Sequence, residues 1–303
     1  MKEDQPSSTA ILIALATVFI SKNRSLQSLV PQDAALWCVR SLKEISPRFL
    51  TLIHLGSLPP FRWILKLAEW ATIPGLPLHF ILRKRQIEEF VRNNISKGHH
   101  QIIILGAGFD TLGLRLSTSF PNVSFIEIDH PSTQKQKRRI AQKYDRDNSP
   151  SFLPGDLAFE NISDILSKHP SFQPAAPSTL IIEGLFMYLT EKEIDRIFRS
   201  LDGIFNSPTH IIFTMMETTP DGRSTFHHAS GLVSRLLSHW REPFKSSVKR
   251  LSIENFLALH QWTLSEICDD ETLRHRYLSP KGQEHLPLAK GELVIMAKKI
   301  PRR

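Results

Sequence analysis

The chain has 303 residues, 41% of them hydrophobic, and carries a formal net charge of +8. That length and composition exclude a disordered, fibrous or disulfide-stapled chain and leave room for one large α/β domain with decorations or for two domains. The positive charge collects in Arg83-Lys84-Arg85, in Lys135 to Arg139 and in the tail Lys298 to Arg303, runs without interleaved aromatics that read as solvated helix faces and tails and not as a nucleic-acid surface.

From the amino end, Thr9 to Ile20 is apolar and uncharged, with Ser7, Ser8 and Thr9 as N-cap candidates. Twelve residues are too few to cross a bilayer and no clean cleavage site follows, so a buried or docking helix is predicted, with no stable membrane insertion. A membrane-surface role is the minor alternative. Pro31 to about Ala71 predicts helices broken at Pro47 and at Pro59-Pro60. Trp37, Phe49, Phe61, Trp63, Leu67 and Trp70 read as a helix-to-helix core, the alternative being an aromatic roof over a ligand pocket. Ile73 to Pro77 is the best candidate boundary, giving an N-terminal helical cap over 1–78 and a nucleotide-binding type of domain over 79–303.

A helix is predicted from His79 to about Asn94. It delivers the chain to Gln101–Pro131, around which the rest is organised. Ile102 to Leu105 is a short, β-branched run that suits a strand buried on both faces. Gly106-Ala107-Gly108 turns the chain, a helix starts near Thr111, Pro121-Asn122 ends it, and Val123 to Ile128 forms a strand that stops at Asp129. This is one βαβ unit, with its glycine turn at the carboxyl end of the first strand. A basic helix over 131–144, a short strand at Phe152-Leu153 before Asp156 and Leu157, and a helix over 162–166 follow. Leu180 to Ile182 is a strand ending at Glu183, Thr190 caps a helix running to Leu201, and His210 to Met216 is a fifth strand. Glu217 to Lys249 is too long for a connection and predicts a lid insertion at about 217–250, amphipathic through Leu232, Val233, Leu236, Leu237 and Trp240. A helix over 251–260 and strands over 262–267 and 291–297 complete the chain. The alternation predicts an α/β fold with a doubly wound, mostly parallel sheet.

Glycine at 106 and 108 permits positive φ and lets a ligand lie on the backbone. Asp129, 21 residues beyond Gly108, has the offset of a ribose-binding acid. Thr111 stands where the dinucleotide fingerprint has its third glycine, and Asp110 would repel a phosphate at the helix start. The turn therefore suits a nucleoside without phosphates, of which S-adenosylmethionine is the common example; the bland alternative is a bare strand-to-helix turn. Asp129, Asp156 and Glu183 recur at about 27-residue intervals at strand ends, where acids converge on one crevice. Ribose hydroxyls and an adenine amine are donors, and an amino group and a sulfonium are cations, so such acids match that ligand. Cys38 and Cys268 lack metal or redox spacing and the thirteen histidines form no HExxH or Cys/His cluster, which predicts a reduced, cytoplasmic protein without a metal site.

GAGFDTLGLRL, FIEIDHP, GDL and IIEGLFMYLTEKEI together resemble the leucine carboxyl methyltransferase family, most nearly its bacterial branch of S-adenosylmethionine-dependent O-methyltransferases. The resemblance is close from about Arg83 to Leu201 and looser at Trp240 to Phe244 (WREPF), at the last strand and at Pro6 to Leu15. It implies a class I methyltransferase-like sheet with S-adenosyl-L-methionine as cofactor. It also implies roles: Gly106, Ala107 and Gly108 lining the methionine part, Asp129 taking the ribose hydroxyls, Asp156 and Leu157 flanking the adenine, Glu183 near the amino group, and Arg83 pairing with the cofactor carboxylate while Lys84 and Arg85 lie exposed. The implied reaction is methylation of a carboxylate or hydroxyl on a small molecule or a protein C-terminus. Leu112 stands where many relatives have arginine and the usual Asp-Pro-Tyr is missing, both where acceptor recognition would be set, so the acceptor does not carry over. An ionised carboxylate needs no base; a hydroxyl would, and His227, His228 and Tyr188 are the candidates. The rival readings are a nicotinamide-dependent oxidoreductase and a non-catalytic cofactor-binding protein, and oligomeric state is not specified.

Overall fold

The computed structural model describes residues 7–145, 149–227, 229–240 and 242–300. Pro6, His228, Arg241 of WREPF, the end of the basic tail and the side chains of Leu232 and Leu236 lie outside the described residues.

Five helices precede the sheet: α1 (Ser8–Ser21), α2 (Ala34–Ile45), α3 (Arg48–Leu55), α4 (Pro59–Thr72) and α5 (Leu76–Ser96). Then come β1 (Gln101–Leu105), α6 (Leu112–Ser119), β2 (Ser124–Asp129), α7 (Pro131–Tyr144), β3 (Ser151–Pro154), α8 (Ile162–Ser167), β4 (Ser178–Ile182), α9 (Glu191–Ser200) and β5 (Thr209–Met216). The chain closes with α10 (Gly231–Trp240), α11 (Ile253–Leu259), β6 (Trp262–Cys268), α12 (Asp270–Leu273) and β7 (Glu292–Lys299). The seven strands lie in the order β3-β2-β1-β4-β5-β7-β6. Strands β1 to β5 pair in parallel, and β7 runs antiparallel between β5 and β6. The mostly parallel, doubly wound sheet is as expected. Strand order reverses between β1 and β4, so a crevice opens outside their carboxyl ends.

All five residues of β1 are buried, and alternation sends them to two cores. Ile103 and Leu105 pack with α8, α9 and α11, while Ile102 and Ile104 pack with α5 and α6. Helix α6 approaches β2 closely because Gly113 has no side chain: a Cβ there would sit 2.3 Å from Glu127 Oε1. Thr111, in place of the fingerprint glycine, accepts a hydrogen bond from Arg115 Nε at 3.0 Å, and Arg115 Nη1 donates to Glu88 on α5 at 2.6 Å. The packing role of the missing glycine has moved two residues on.

Three expectations are corrected. The predicted aromatic core splits: Trp37 is buried and Phe49 half-buried, but Phe61, Trp63, Leu67 and Trp70 on α4 stand 41%, 74%, 65% and 73% exposed and do not line the large cavity at the carboxyl edge of the sheet. Periodicity identifies an apolar helix face and cannot say whether a neighbour covers it; no residue of α4 is buried. Lys84, expected to be exposed, is turned inward onto two carboxylates, Asp110 and Glu183. Lys137, from a run expected to be solvated, is buried 2.6 Å from Glu127. Helix α1 packs against α2 and α5 with Ser7 Oγ as its N-cap. Among the described residues no helix is long and apolar enough to cross a membrane.

Candidate functional site

Arg83, Gly106, Ala107, Gly108, Asp129, Asp156, Leu157 and Glu183 all line one cavity of roughly 630 Å³ at the carboxyl edge of the sheet. The floor is the glycine turn after β1. Gly106 and Gly108 have φ of +67° and +47°. A Cβ on Gly106 would press Leu185 at 3.1 Å, whereas one on Gly108 would project into open space, so a ligand can lie directly on that backbone.

Asp129 is fixed across the turn. Its Oδ2 accepts the Gly108 N–H at 2.5 Å and its Oδ1 accepts the His130 N–H at 2.6 Å. Each oxygen keeps a lone pair for a further donor. Burial pushes the Asp129 carboxyl up from its ordinary value, and these two amide bonds oppose the rise. Beyond it, Asp156 Oδ1 accepts the Ala158 N–H at 2.9 Å, which shapes the loop that presents Asp156 and Leu157 to the cavity. Phe159 lines the same end and is 82% exposed.

A buried ionic cluster forms the opposite wall. Arg83 Nη1 donates to both oxygens of Glu292 at 2.9 Å, its Nε donates to Glu183 Oε1 at 2.9 Å, and its Nη2 lies 2.7 Å from that oxygen. Lys84 Nζ lies 3.1 Å from Glu183 Oε1 and 3.1 Å from Asp110 Oδ2. His79 Nε2 meets Glu292 Oε2 at 2.8 Å. Burial opposes ionisation of Glu292, but Arg83 and His79 together hold it down at about 2. Lys84 likewise overcomes burial to keep Asp110 below the usual carboxylate range, while burial dominates at Glu183 and raises it. Glu183 Oε2 is buried with no donor. The wall thus sets two cations, Arg83 and Lys84, against three carboxyl groups, Asp110, Glu183 and Glu292.

Sequence reasoning missed four members of this wall: Asp110, Lys84, Glu292 and His79. In sequence Asp110 signals only a deterrent to phosphate. Glu292 opens β7, and because β7 is antiparallel its first residue lies at the edge where the parallel strands end. In sequence an acid at a strand start carries no signal, because in a parallel sheet only strand ends mark the ligand edge.

The other lobe of the cavity is apolar. Leu12 and Ile13 of α1, Ile73, Leu76, Phe226, Val233, Leu237 and Phe244 contribute to its wall. Glu242 of WREPF joins the two sides: its carboxylate accepts the Ser8 N–H at 3.1 Å, the Thr9 N–H at 3.2 Å and the Thr9 hydroxyl at 2.6 Å, at the positive end of the α1 dipole. Tyr188 donates to Thr9 Oγ1 at 3.4 Å, and burial pushes its phenol up to about 12. His227 lies against Gly291 and does not line the cavity; Leu112 is buried in the core and does not line it either. Among the described residues no group of three His, Cys, Asp or Glu side chains is placed to hold a metal ion.

A family model described as leucine carboxyl methyltransferase matches residues 18–202, more than half of the chain. The chain belongs to that family. A candidate S-adenosyl-L-methionine-dependent methyltransferase of Mycobacterium bovis is 28% identical over 140 residues, 44% of this chain and 45% of that protein, so the match spans less than half of that relative. A candidate of the same description from Mycobacterium marinum is 24% identical over 219 residues, 69% of this chain and 70% of that one. The solved structure of a candidate methyltransferase from Thermobifida fusca superposes with a TM-score of 0.58 at 15% identity, covering 99% of this chain and 97% of the other. At that identity the likeness concerns the fold, which is the class I methyltransferase fold.

Proposed function

We propose that this member of the leucine carboxyl methyltransferase family is an S-adenosyl-L-methionine-dependent methyltransferase that methylates an oxygen, in the first instance a carboxylate, of an apolar small-molecule acceptor. The observation that carries the reading is the carboxyl-rich wall. Its three carboxyl groups against two cations, with Glu183 Oε2 lacking a donor, match a ligand bearing an ammonium and a sulfonium. They disfavour a pyrophosphate. Asp129 has lone pairs left for two ribose hydroxyls, and the bare Gly108 backbone gives room for the methionine portion.

S-adenosylmethionine supplies a methyl group on a cationic sulfur that leaves as a neutral thioether when an acceptor oxygen takes the methyl. The chain's own part is positioning and exclusion of water. Glu183 and Asp110 favour cationic groups at one wall, Arg83 is held in place by Glu183 and Glu292, and α1 and α10 close the apolar lobe. Tyr188, with its phenol near 12 and donating to Thr9, is not a base at neutral pH, and Glu242 already accepts from three donors. An acceptor that arrives ionised needs neither, which favours a carboxylate over a hydroxyl.

Calorimetric titration with S-adenosylmethionine, its demethylated product and NAD(H) tests the cofactor. The first two should bind and NAD(H) should give no heat; tight NAD(H) binding with none for S-adenosylmethionine would establish the oxidoreductase, and heat from none of them a non-catalytic scaffold that keeps the fold without a cofactor. Methyl-labelled cofactor with a panel of apolar carboxylic acids tests the acceptor. The product should release labelled methanol in alkali, as an ester does; an alkali-stable product would replace the carboxylate with a hydroxyl.

A further inference from the structure

Helix α4 presents a face that none of the described residues covers. At about 100° per residue, Trp70, Trp63, Leu67, Ala71 and Ile64 fall on one strip about 120° wide. The four large ones are 73%, 74%, 65% and 60% exposed. Leu52 and Leu58, 43% and 41% exposed, precede the strip along the chain. Single exposed apolar residues are ordinary, but a strip of two tryptophans, a leucine and an isoleucine marks a contact surface.

The charges beside the strip indicate what it contacts. Arg62 and Lys66 follow one another along its border, with Lys66 Nζ 5.9 Å from the centre of the Trp63 ring. The only acid of the helix, Glu69, turns away: its carboxylate accepts the Gly75 N–H at 2.9 Å. The helix therefore shows aromatic and aliphatic side chains with cations alone at the edge, on a chain of net charge +8. Tryptophan and leucine on one side and lysine and arginine on the other are what a helix lying in a lipid interface requires. A second copy fits less well. Lys66 sits near the middle of this 14-residue helix, so a two-fold pairing of α4 helices would bring the two Lys66 ammonium groups together.

We infer that α4 docks the protein on an anionic lipid bilayer, with Trp63, Ile64, Leu67 and Trp70 in the interface and Arg62 and Lys66 at the headgroups. The helix runs straight into the cavity: Thr72, Ile73 and Leu76 line it, and the Ser230 N–H at the foot of α10 donates to Thr72 O at 3.2 Å. Docking thus sets the apolar lobe beside the lipid surface. If the function proposed above holds, the acceptor is an amphiphile taken from that surface.

Flotation of the full chain with vesicles of phosphatidylcholine alone or mixed with phosphatidylglycerol tests the docking. No cofactor or acceptor is present, so docking and methyl transfer fail separately. The chain should float with the anionic vesicles and far less with the neutral ones, with a blue shift of tryptophan emission. Trp63→Ser/Leu67→Ser/Trp70→Ser should lower partitioning by roughly a hundredfold, and Arg62→Gln/Lys66→Gln should lower it roughly tenfold on the anionic vesicles only. Because these side chains are exposed, both variants should keep the parent far-ultraviolet dichroism and cofactor affinity. No flotation with anionic vesicles, or flotation unchanged in the triple variant, would overturn the inference. So would a parent dimer in vesicle-free solution that the triple variant converts to monomer, because a second copy would then be the occupant of the face.

Discussion

At the glycine-turn end of the cavity, five charged side chains from four segments are paired, Arg83 and Glu292 buried and the others half-buried: Arg83 and Lys84 from α5, Asp110 after β1, Glu183 after β4 and Glu292 on β7. At the other end the wall is aliphatic and aromatic, and one carboxylate, Glu242, ties the start of α1 to the loop after α10. The first end is a rigid electrostatic mould whose members cannot be removed singly without stranding a charge. The second is a surface of shape and dispersion. On the function proposed above, the first end would set the chemistry and the second the acceptor.

The severest challenge to that contrast is Arg83→Met. It leaves Glu183 and Glu292 buried without their main cation and should destabilise the fold by about 3–5 kcal/mol, read by urea unfolding at neutral pH. The pH dependence fixes the cause. Glu292 is held near 2 against an ordinary 4.5, so its contribution is in place above 4.5 and is lost as pH falls toward 2. The deficit of the variant should accordingly be widest at neutral pH and shrink on acidification below 4.5; a deficit independent of pH would mean packing, not charge, is what was lost.

Next in size is Asp129→Asn. It keeps the side-chain shape but removes the charge and one of the two oxygens that accept the Gly108 and His130 N–H groups, so S-adenosylmethionine affinity should fall about a hundredfold by calorimetry. Unchanged affinity would remove Asp129 from the cofactor site. Gly113→Ala should cost about 1–3 kcal/mol in the same unfolding assay, because its methyl would meet Glu127 Oε1, 2.3 Å from the ideal Cβ position. It sharpens the picture by separating the packing under the turn from the binding above it. The smallest effect is expected at the apolar end. Thr9→Val deletes the 2.6 Å hydroxyl bond to Glu242 and should cost about 1 kcal/mol. It should raise the acceptor KM a few-fold while cofactor affinity stays put; a parallel loss of cofactor affinity would show that the two ends are not independent.

Much of the mould could be read before any coordinates. A β-branched run, a Gly-Ala-Gly turn and acids at Asp129, Asp156 and Glu183 are local patterns, and local patterns follow from backbone sterics and from strand alternation. Arg83 was identified by resemblance, but its partners were not, since ion pairs form between residues 100 and 209 positions apart. Glu242 and Thr9 are farther apart still, at 233 positions.

The amino-acid sequence by itself determined the order and type of the main elements, the doubly wound sheet and the residues at its carboxyl edge, because hydrophobic periodicity and glycine stereochemistry act within a few residues. Only the tertiary structure decided which charges are inside. Lys84, Lys137 and Glu292 are indistinguishable in sequence from solvated residues; Lys84 turns inward and Lys137 and Glu292 become buried because oppositely charged neighbours arrive from elsewhere in the chain. It decided equally that α4 stays uncovered, since whether an apolar stripe is core or surface depends on what packs against it.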